Sequence, residues 1–477
     1  MKNKDYPAEV LDLTIDHINE KGQGVAYYRH APDRGSMGKL LVVFMPNVVP
    51  GDEVRVTVPN AKGRKRAYLQ FDEILKPSPY RNLDNPIKPT IAGGTPLQYM
   101  NYDAQLVYKE NLVKTYLEKG DFDTSLVHPI IGLENPNHYR NKMEFTFGPN
   151  GEIGMHEQGN YMNIVDLEDS LLAPLVMMDI KQTISKWQKE HDLKGYSKVT
   201  HDGLLRQLTI RKSSATNEIM LVIYSTKAPD TLQDAVDDLL AKLTEQFNDI
   251  VSILWITSTS TADSIVPESI QLLHGRNYIN EELNGFHYKL YYDTFFQANS
   301  DQAEKMVSIA LEMTEMDKEM TVLDLFCGIG TFSLPFAKAA KELVGIELVE
   351  QSILSAQENA EKAGLTNTRF FASDARKGLE KLKETWPTPD LLLVNPPRGG
   401  AGGKMMRSIG RYGSKNIIYI SCNPKTLADD LQWLGDFGYE FIEAQPIDQF
   451  PHTVHVETVL LLSKKNKLGP KKENYRA

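Results

Sequence analysis

The stretch Val322-Leu-Asp-Leu-Phe-Cys-Gly-Ile-Gly-Thr-Phe-Ser-Leu334 decides how this chain is read. Thr321 to Leu325 is a short apolar run of the kind buried in a sheet, and Gly328 and Gly330 stop it. A helical pattern follows from Thr331 through Ala340. Strand, glycine turn and helix in that order let the backbone approach a ligand at a helix N-terminus. A second apolar strand, Leu343-Val-Gly-Ile-Glu347, ends in a carboxylate placed to take two ribose hydroxyls. A third, Arg369-Phe-Phe-Ala-Ser373, leads to Asp374, where an adenine amino group would be read. The glycine spacing is not G-x-G-x-x-G, so a dinucleotide pyrophosphate fits poorly, and no G-K-[ST] follows, so this is no P-loop.

Together these features resemble the S-adenosylmethionine pocket of the doubly wound methyltransferases. The rest of the chain must supply the substrate side. Its 477 residues and 53.8 kDa allow about three domains, at ~100–200 residues each. No apolar run reaches the ~18 residues of a membrane span, and Met1-Lys-Asn-Lys-Asp has no signal-peptide core. With two cysteines, Cys327 and Cys422, a disulfide framework is excluded and a cytoplasmic setting is expected. A net charge of −10 argues against coating nucleic acid on all sides, while permitting a local basic face.

Outward from the glycine turn toward the N-terminus, residues 8 to about 76 alternate like a small β-barrel. Its pieces are Glu9 to Asp16, the turn Asn19-Glu-Lys-Gly-Gln-Gly24, Leu40-Leu-Val-Val-Phe-Met45 and Asp52-Glu-Val-Arg-Val-Thr-Val58. Lys62, Arg64, Lys65 and Arg66 beside Tyr68 read either as a solvated hairpin tip or as RNA contacts. Pro77 to Pro96 is a linker-like segment, and an amphipathic helix is expected from Tyr102 to about Lys119. Residues 126 to 285 mix strands with helices over about Leu171–Lys194 and Leu232–Gln246, an α+β pattern. There Arg140 and Lys142 bracket a strand start, as surface charges or as RNA contacts. From His287 to Leu462 the alternation becomes βαβ and predicts a parallel sheet, and a polar basic tail follows.

Three later stretches carry chemistry. Leu391-Leu-Leu-Val-Asn-Pro-Pro-Arg398 is a buried strand ending at Asn395, with prolines stiffening the turn where open α/β sheets bind ligands. Ile417-Ile-Tyr-Ile-Ser-Cys-Asn-Pro-Lys425 puts Cys422 past the next strand and before a helix, near Lys425. That setting is expected to favour the thiolate. Phe450-Pro-His-Thr-Val-His-Val-Glu457 carries Glu457 into a final strand beside His452 and His455. Singly, these have ordinary readings: a packed thiol, a turn asparagine, a solvent-facing carboxylate. Together they supply what carbon methylation of a pyrimidine needs. A thiolate added to C6 of uracil makes C5 nucleophilic, and a base must then remove the C5 proton before the thiolate leaves.

Phe295-Phe-Gln-Ala-Asn299, the glycine turn, Asn395-Pro-Pro-Arg398, Ser421-Cys-Asn-Pro-Lys425 and Phe450-Pro-His-Thr-Val-His-Val-Glu457 together resemble the RNA 5-methyluridine methyltransferase family. The turn at Asn19 and Val49-Pro-Gly-Asp-Glu-Val-Arg-Val56 resemble a TRAM domain, an OB-like fold. That likeness is closer to the 23S ribosomal RNA branch than to the tRNA branch. The resemblance implies S-adenosylmethionine at Gln297, Phe326, Gly328, Thr331, Glu347 and Asp374, with Cys422 as nucleophile and Glu457 as base. Asn395 would face the uracil edge and the cofactor. It also implies base flipping of the target uridine.

Three departures from the family stand out. Its iron–sulfur cysteines are missing, with Pro86, Ala92, Thr95 and Ser170 in their places, so no cluster is expected. Asn395 replaces a usual Asp, and its amide can pair with uracil O4 and N3–H at once. Thr331 replaces a usual Asn. The expected organisation is therefore multidomain: residues 1–76 a TRAM barrel, 77–285 a linker and central α+β unit, 286–463 a Rossmann-like doubly wound methyltransferase unit, and 464–477 a basic tail. The expected partner is RNA, 23S rRNA first, acted on by a monomer with no membrane. Two other readings stay open: an amino-group methyltransferase, which would need neither Cys422 nor Glu457, and a non-catalytic RNA-binding assembly factor with a relic pocket.

Overall fold

The computed structural model describes residues 7–30, 38–61, 64–85, 87, 92–262 and 265–465. Lys62, Pro86 and most of the basic tail lie outside them.

At the N-terminus two small sheets close on one apolar core. One joins Glu9–Thr14, Glu53–Val58 and Glu73–Lys76; the other joins His17–Ile18, Gly24–Arg29, Leu40–Met45 and Arg66–Tyr68. Period-2 alternation does the folding: Val54, Val56 and Val58 point inward, while Arg55 and Thr57 face out. The middle of the chain forms a mostly antiparallel seven-stranded sheet, in spatial order Asn160–Asp166, Ile153–Glu157, Lys142–Phe147, Leu205–Lys212, Ile219–Ser225, Ile250–Thr257 and Ser269–Gly275. Helices Leu175–Glu190 and Gln233–Gln246 cover one face through Met177, Ile180, Ile184, Leu239 and Leu243. Both expected helices are present, the first shorter than Leu171–Lys194 because Pro174 ends the approach and takes the N-cap place.

The C-terminal unit holds the chemistry. Its strands are β1 (Thr321–Leu325), β2 (Glu342–Glu347), β3 (Thr368–Ala372), β4 (Leu391–Val394), β5 (Asn416–Ser421), β6 (Tyr439–Ile447) and β7 (Glu457–Lys464). Their order is β3-β2-β1-β4-β5-β7-β6, with the strand order reversing between β1 and β4. The five strands β3 to β5 are parallel; β7 runs antiparallel between β5 and β6. A parallel sheet was expected as the core, and these five strands form it; the last hairpin adds an antiparallel strand. The consequence is chemical: an antiparallel strand begins where its parallel neighbours end, so the first residue of β7 sits at their carboxyl edge.

The chain enters this unit earlier than expected. Helix Tyr102–Lys119 matches the expected bounds, capped by Asn101 accepting from the Ala104 N–H. It belongs to the C-terminal core rather than to a central unit, since Val113, Leu117 and Val127 join Tyr419, Leu427 and Leu431 in one cluster. Burying Val113 and Leu117 completely stabilises this docking by about 1.5–3 kcal/mol each. Val127 and Ile131 then bridge to Ala444 and Ile447 along the outer strand β6. The hairpin Tyr278–Leu283/Phe286–Tyr291 likewise straddles the boundary at residue 285, and it wedges between the central sheet and the C-terminal core. No helix among the described residues is long and apolar enough to cross a membrane.

Candidate active site

The glycine turn after β1 is built for close approach. Phe326, Gly328 and Gly330 all have positive φ, at 66°, 54° and 91°. A side chain at Gly328 would meet nothing within 4 Å, so the turn is open on its ligand side. Phe326 and Cys327 N–H both reach back to Ile346 O, tying the turn to β2. The Gly328 N–H donates to Glu347 Oε2 at 3.2 Å, and Leu348 and Val349 N–H hold Oε1 at 2.7 and 3.0 Å. The acid at the end of β2 is thereby fixed beside the glycines.

Gln297, Phe326, Gly328, Thr331 and Asn395 line one cavity, as their place at the strand-order reversal leads one to expect. Asp374 stands apart from it. Exposed after β3, it caps helix Ala375–Thr385 by accepting from Lys377 N–H at 3.0 Å. Three neighbours were missed in the sequence. Asp324 lines the cavity, fully buried, and accepts from Ser333 Oγ at 2.5 Å. Burial pushes its carboxyl up to about 7. Phe295 lies 74% exposed at the cavity mouth. Asn141 pins the Phe295–Asn299 segment to the central sheet, its Nδ2 donating to Gln297 O at 2.7 Å. Its neighbours Arg140 and Lys142 drew notice for their charge, but the uncharged residue between them makes the link.

The second half of the site follows from the sheet. The β5–β7 ladder pairs Ser421 with Thr458, so Cys422 and Glu457 come next in register, one step beyond. Cys422 precedes Asn423, whose side chain caps helix Pro424–Gly435, with Pro424 at the first helical position. The expected thiolate bias is corrected here. Burial and the neighbouring Glu457 raise the Cys422 thiol to about 11, and Arg398 only partly offsets them. The capped helix start at Asn423 and the exposed Lys425 do not compensate for that desolvation. Glu457, 5% exposed, is raised by burial to about 8. The pair therefore rests largely protonated at neutral pH. Arg398 Nη2 sits 3.0 Å from His455 Nδ1; burial and Arg398 hold that imidazole down to about 4, neutral and able to accept.

The loop leading to Glu457 is anchored from outside the sheet. Lys109 Nζ meets Asp448 Oδ1 at 2.5 Å and Phe450 O at 2.9 Å, both ionic groups fully buried. His452, at φ 65°, lies between Gln105 Nε2 at 3.2 Å and Asn137 Oδ1 at 2.8 Å. Of the residues read as RNA contacts, Arg64, Lys65 and Arg66 are exposed and Lys62 is outside the described residues. Arg140 borders a cavity with Lys212 and Asn299, and Lys142 is paired with Glu144 at 2.7 Å. Where the family's cluster would sit, Ser170 Oγ accepts from the Leu172 and Ala173 N–H groups, an ordinary turn. Ala92 bridges to Glu157. Among the described residues no group of three or more His, Cys, Asp and Glu could hold a metal ion.

This strand order, with a glycine turn, a strand-end carboxylate and an open cavity at the reversal, defines a doubly wound methyltransferase. The residues fit S-adenosylmethionine: open backbone at Gly328, a braced Glu347, and polar Gln297 and Asn395 across the cavity. The tRNA (uracil-5-)-methyltransferase family model matches residues 101–465, from the cap of helix Tyr102–Lys119 to the end of β7, and the chain belongs to that family. It is 35% identical over 474 residues to an uncharacterized RNA methyltransferase of Caldanaerobacter subterraneus subsp. tengcongensis, covering 96% of this chain and 99% of that one. A second uncharacterized RNA methyltransferase, from Oceanobacillus iheyensis, is 32% identical, covering 96% and 97%. Among solved structures, the Pyrococcus abyssi tRNA (uracil-54, C5)-methyltransferase in complex with S-adenosyl-L-homocysteine aligns with a TM-score of 0.71. It is 25% identical and covers 95% of this chain and all of that one. This protein is thus an S-adenosylmethionine-dependent RNA methyltransferase of the uracil-5 family.

Proposed function

We propose that the protein forms 5-methyluridine in 23S ribosomal RNA through a covalent bond between Cys422 and C6 of the target uracil. The observation that carries this is the juxtaposition of Cys422 and Glu457 by the β5–β7 register, at the cofactor edge of the sheet. S-adenosylmethionine, held by Gln297, Phe326, Gly328, Thr331 and Glu347, with Asp374 outside that cavity as the proposed adenine contact, supplies an electrophilic methyl group when bound.

The chain's own residues do the rest. The Cys422 thiol rests protonated, so its proton passes to solvent as sulfur adds to C6 and the pyrimidine ring takes up the charge, with Arg398 as the nearby cation; C5 then bonds the methyl group and so carries methyl and proton together. Asn395 offers one donor and one acceptor to uracil O4 and N3–H. Glu457, once ionised, takes the C5 proton. The ring electrons then expel the thiolate, and the C6–S bond breaks. Burial that lifts Glu457 to about 8 makes it a stronger base than a free carboxylate.

On this reading the N-terminal unit is a TRAM-type OB-like domain, residues 1–76, which with the central seven-stranded sheet holds the RNA. The methyltransferase unit, 286–463, acts as a monomer in the cytoplasm. The Pyrococcus similarity favours a tRNA substrate as the second reading. Nuclease digestion and mass spectrometry of 23S rRNA and tRNA from a deletion strain test both. Loss of 5-methyluridine from 23S rRNA, restored by wild type and not by Cys422→Ala, supports the proposal. Loss confined to tRNA supports the alternative, and unchanged 5-methyluridine in both removes the uracil reading.

A further inference from the structure

A cavity of about 620 Å³ lies away from Cys422, between the N-terminal four-stranded sheet and helix Tyr102–Lys119. Its sheet wall is made by alternation. In Arg66–Tyr68 only Ala67 points inward, so Arg66 and Tyr68 share the outer face. Tyr68 pairs with Phe44 in the parallel ladder, and their rings stack at 4.8 Å and 14°. Tyr68 remains 63% exposed, and Tyr27, two strands away on the same sheet, 50%. Facing Phe44 and Tyr68 across the cavity are Tyr116 and Lys119 of the helix, with Lys119 Nζ 4.9 Å over the Tyr116 ring.

Among the described residues, Lys21, Arg66 and Lys119 form no ion pair, whereas Glu20 is engaged by the Tyr116 hydroxyl. Flat exposed rings flanked by unpaired cations match an unstacked base with its phosphate. The cleft is also continuous with the catalytic loop. One side of the Asn19–Gln23 turn lines it, and the other meets the loop before Glu457, since a Cβ at Gly22 would lie 3.2 Å from Val454. Tyr108 of the helix holds the turn through Asn19 O at 3.2 Å.

We propose that this cleft binds a single-stranded segment of the substrate RNA flanking the target uridine, with a base stacked on Tyr68 and a phosphate near Lys119. This rests on the uracil-methyltransferase reading only for the identity of the polymer. The test is fluorescence anisotropy of the full chain with a labelled single-stranded oligouridylate and with a duplex of equal length. Tyr68→Ala should weaken single-strand binding about tenfold, the scale of one base–aromatic stack. Lys119→Ala should reduce the salt slope of log K by ~0.7, as for one phosphate contact. Tyr161→Ala, an equally exposed tyrosine on the central sheet, should bind as wild type does. Wild-type affinity in both cleft variants would overturn the proposal, as would equal losses in Tyr68→Ala and Tyr161→Ala or equal binding of duplex. These binding outcomes are independent of methylation. If Cys422→Ala abolished no methylation while the cleft variants weakened binding, only the uracil reading would fall.

Discussion

Glu457 stores the free-energy cost of the site in one proton. Its folded-state value, raised by burial to about 8, lies above its ordinary 4.5. The folded chain therefore keeps a proton that the unfolded chain releases from about pH 4.5 upward, and stability from this group is lost as pH rises toward 8. Asp324, raised to about 7, acts in the same direction. Glu457→Gln cannot ionise and should escape its share of the loss. In thermal melts its advantage over wild type should grow between pH 5 and pH 9, by on the order of 3 kcal/mol. A difference independent of pH would contradict this account. At this scale the sequence was informative about where Cys422 and Glu457 sit, at neighbouring strand ends, and misleading about the state of the thiol. Cys422 sits before a helix as expected, yet desolvation and a buried carboxylate outweigh the helix terminus, and neither can be seen from neighbours in sequence.

At the scale of elements, the loop between β6 and β7 is a polar segment inside the protein, and Lys109 on a helix more than three hundred residues earlier holds it. Removing one partner of a buried pair leaves the other charge uncompensated, at a cost of about 3–5 kcal/mol. Lys109→Met should lower stability by that order and lower kcat by loosening the base, as chemical denaturation and single-turnover methylation would report. The double variant Lys109→Met/Asp448→Leu should recover much of the stability; equal loss in both variants would argue against a burial penalty. The elements around the glycine turn were legible because each is short, apolar and punctuated. The placing of residues 102–131 was not. Their amphipathic pattern says that one face is buried, and only the tertiary contacts of Val113, Leu117 and Val127 say against what. The antiparallel direction of β7 was hidden in the same way, since strand direction leaves no mark on composition.

At the scale of the whole molecule, three units meet around one edge. The central sheet fixes Gln297 through Asn141, the N-terminal unit presses its Asn19–Gln23 turn against the loop before Glu457, and the doubly wound sheet sets Cys422 beside that residue. The multidomain order was readable from shifts in periodicity, while the contacts that turn three units into one site connect residues far apart in the chain. The claim that depends on all of them is covalent capture of a uracil in RNA. The most direct measurement uses the full chain, S-adenosylmethionine and 23S rRNA fragments carrying 5-fluorouridine, followed by denaturing electrophoresis and intact mass. Fluorine at C5 cannot be removed as a proton, so elimination stops at the adduct. Wild type should give a denaturant-stable RNA–protein species one methyl group heavier than the sum of its parts, and Cys422→Ala should give none. A wild-type protein that methylates unmodified RNA without ever forming that species, or a Cys422→Ala variant that still forms it, would contradict the account.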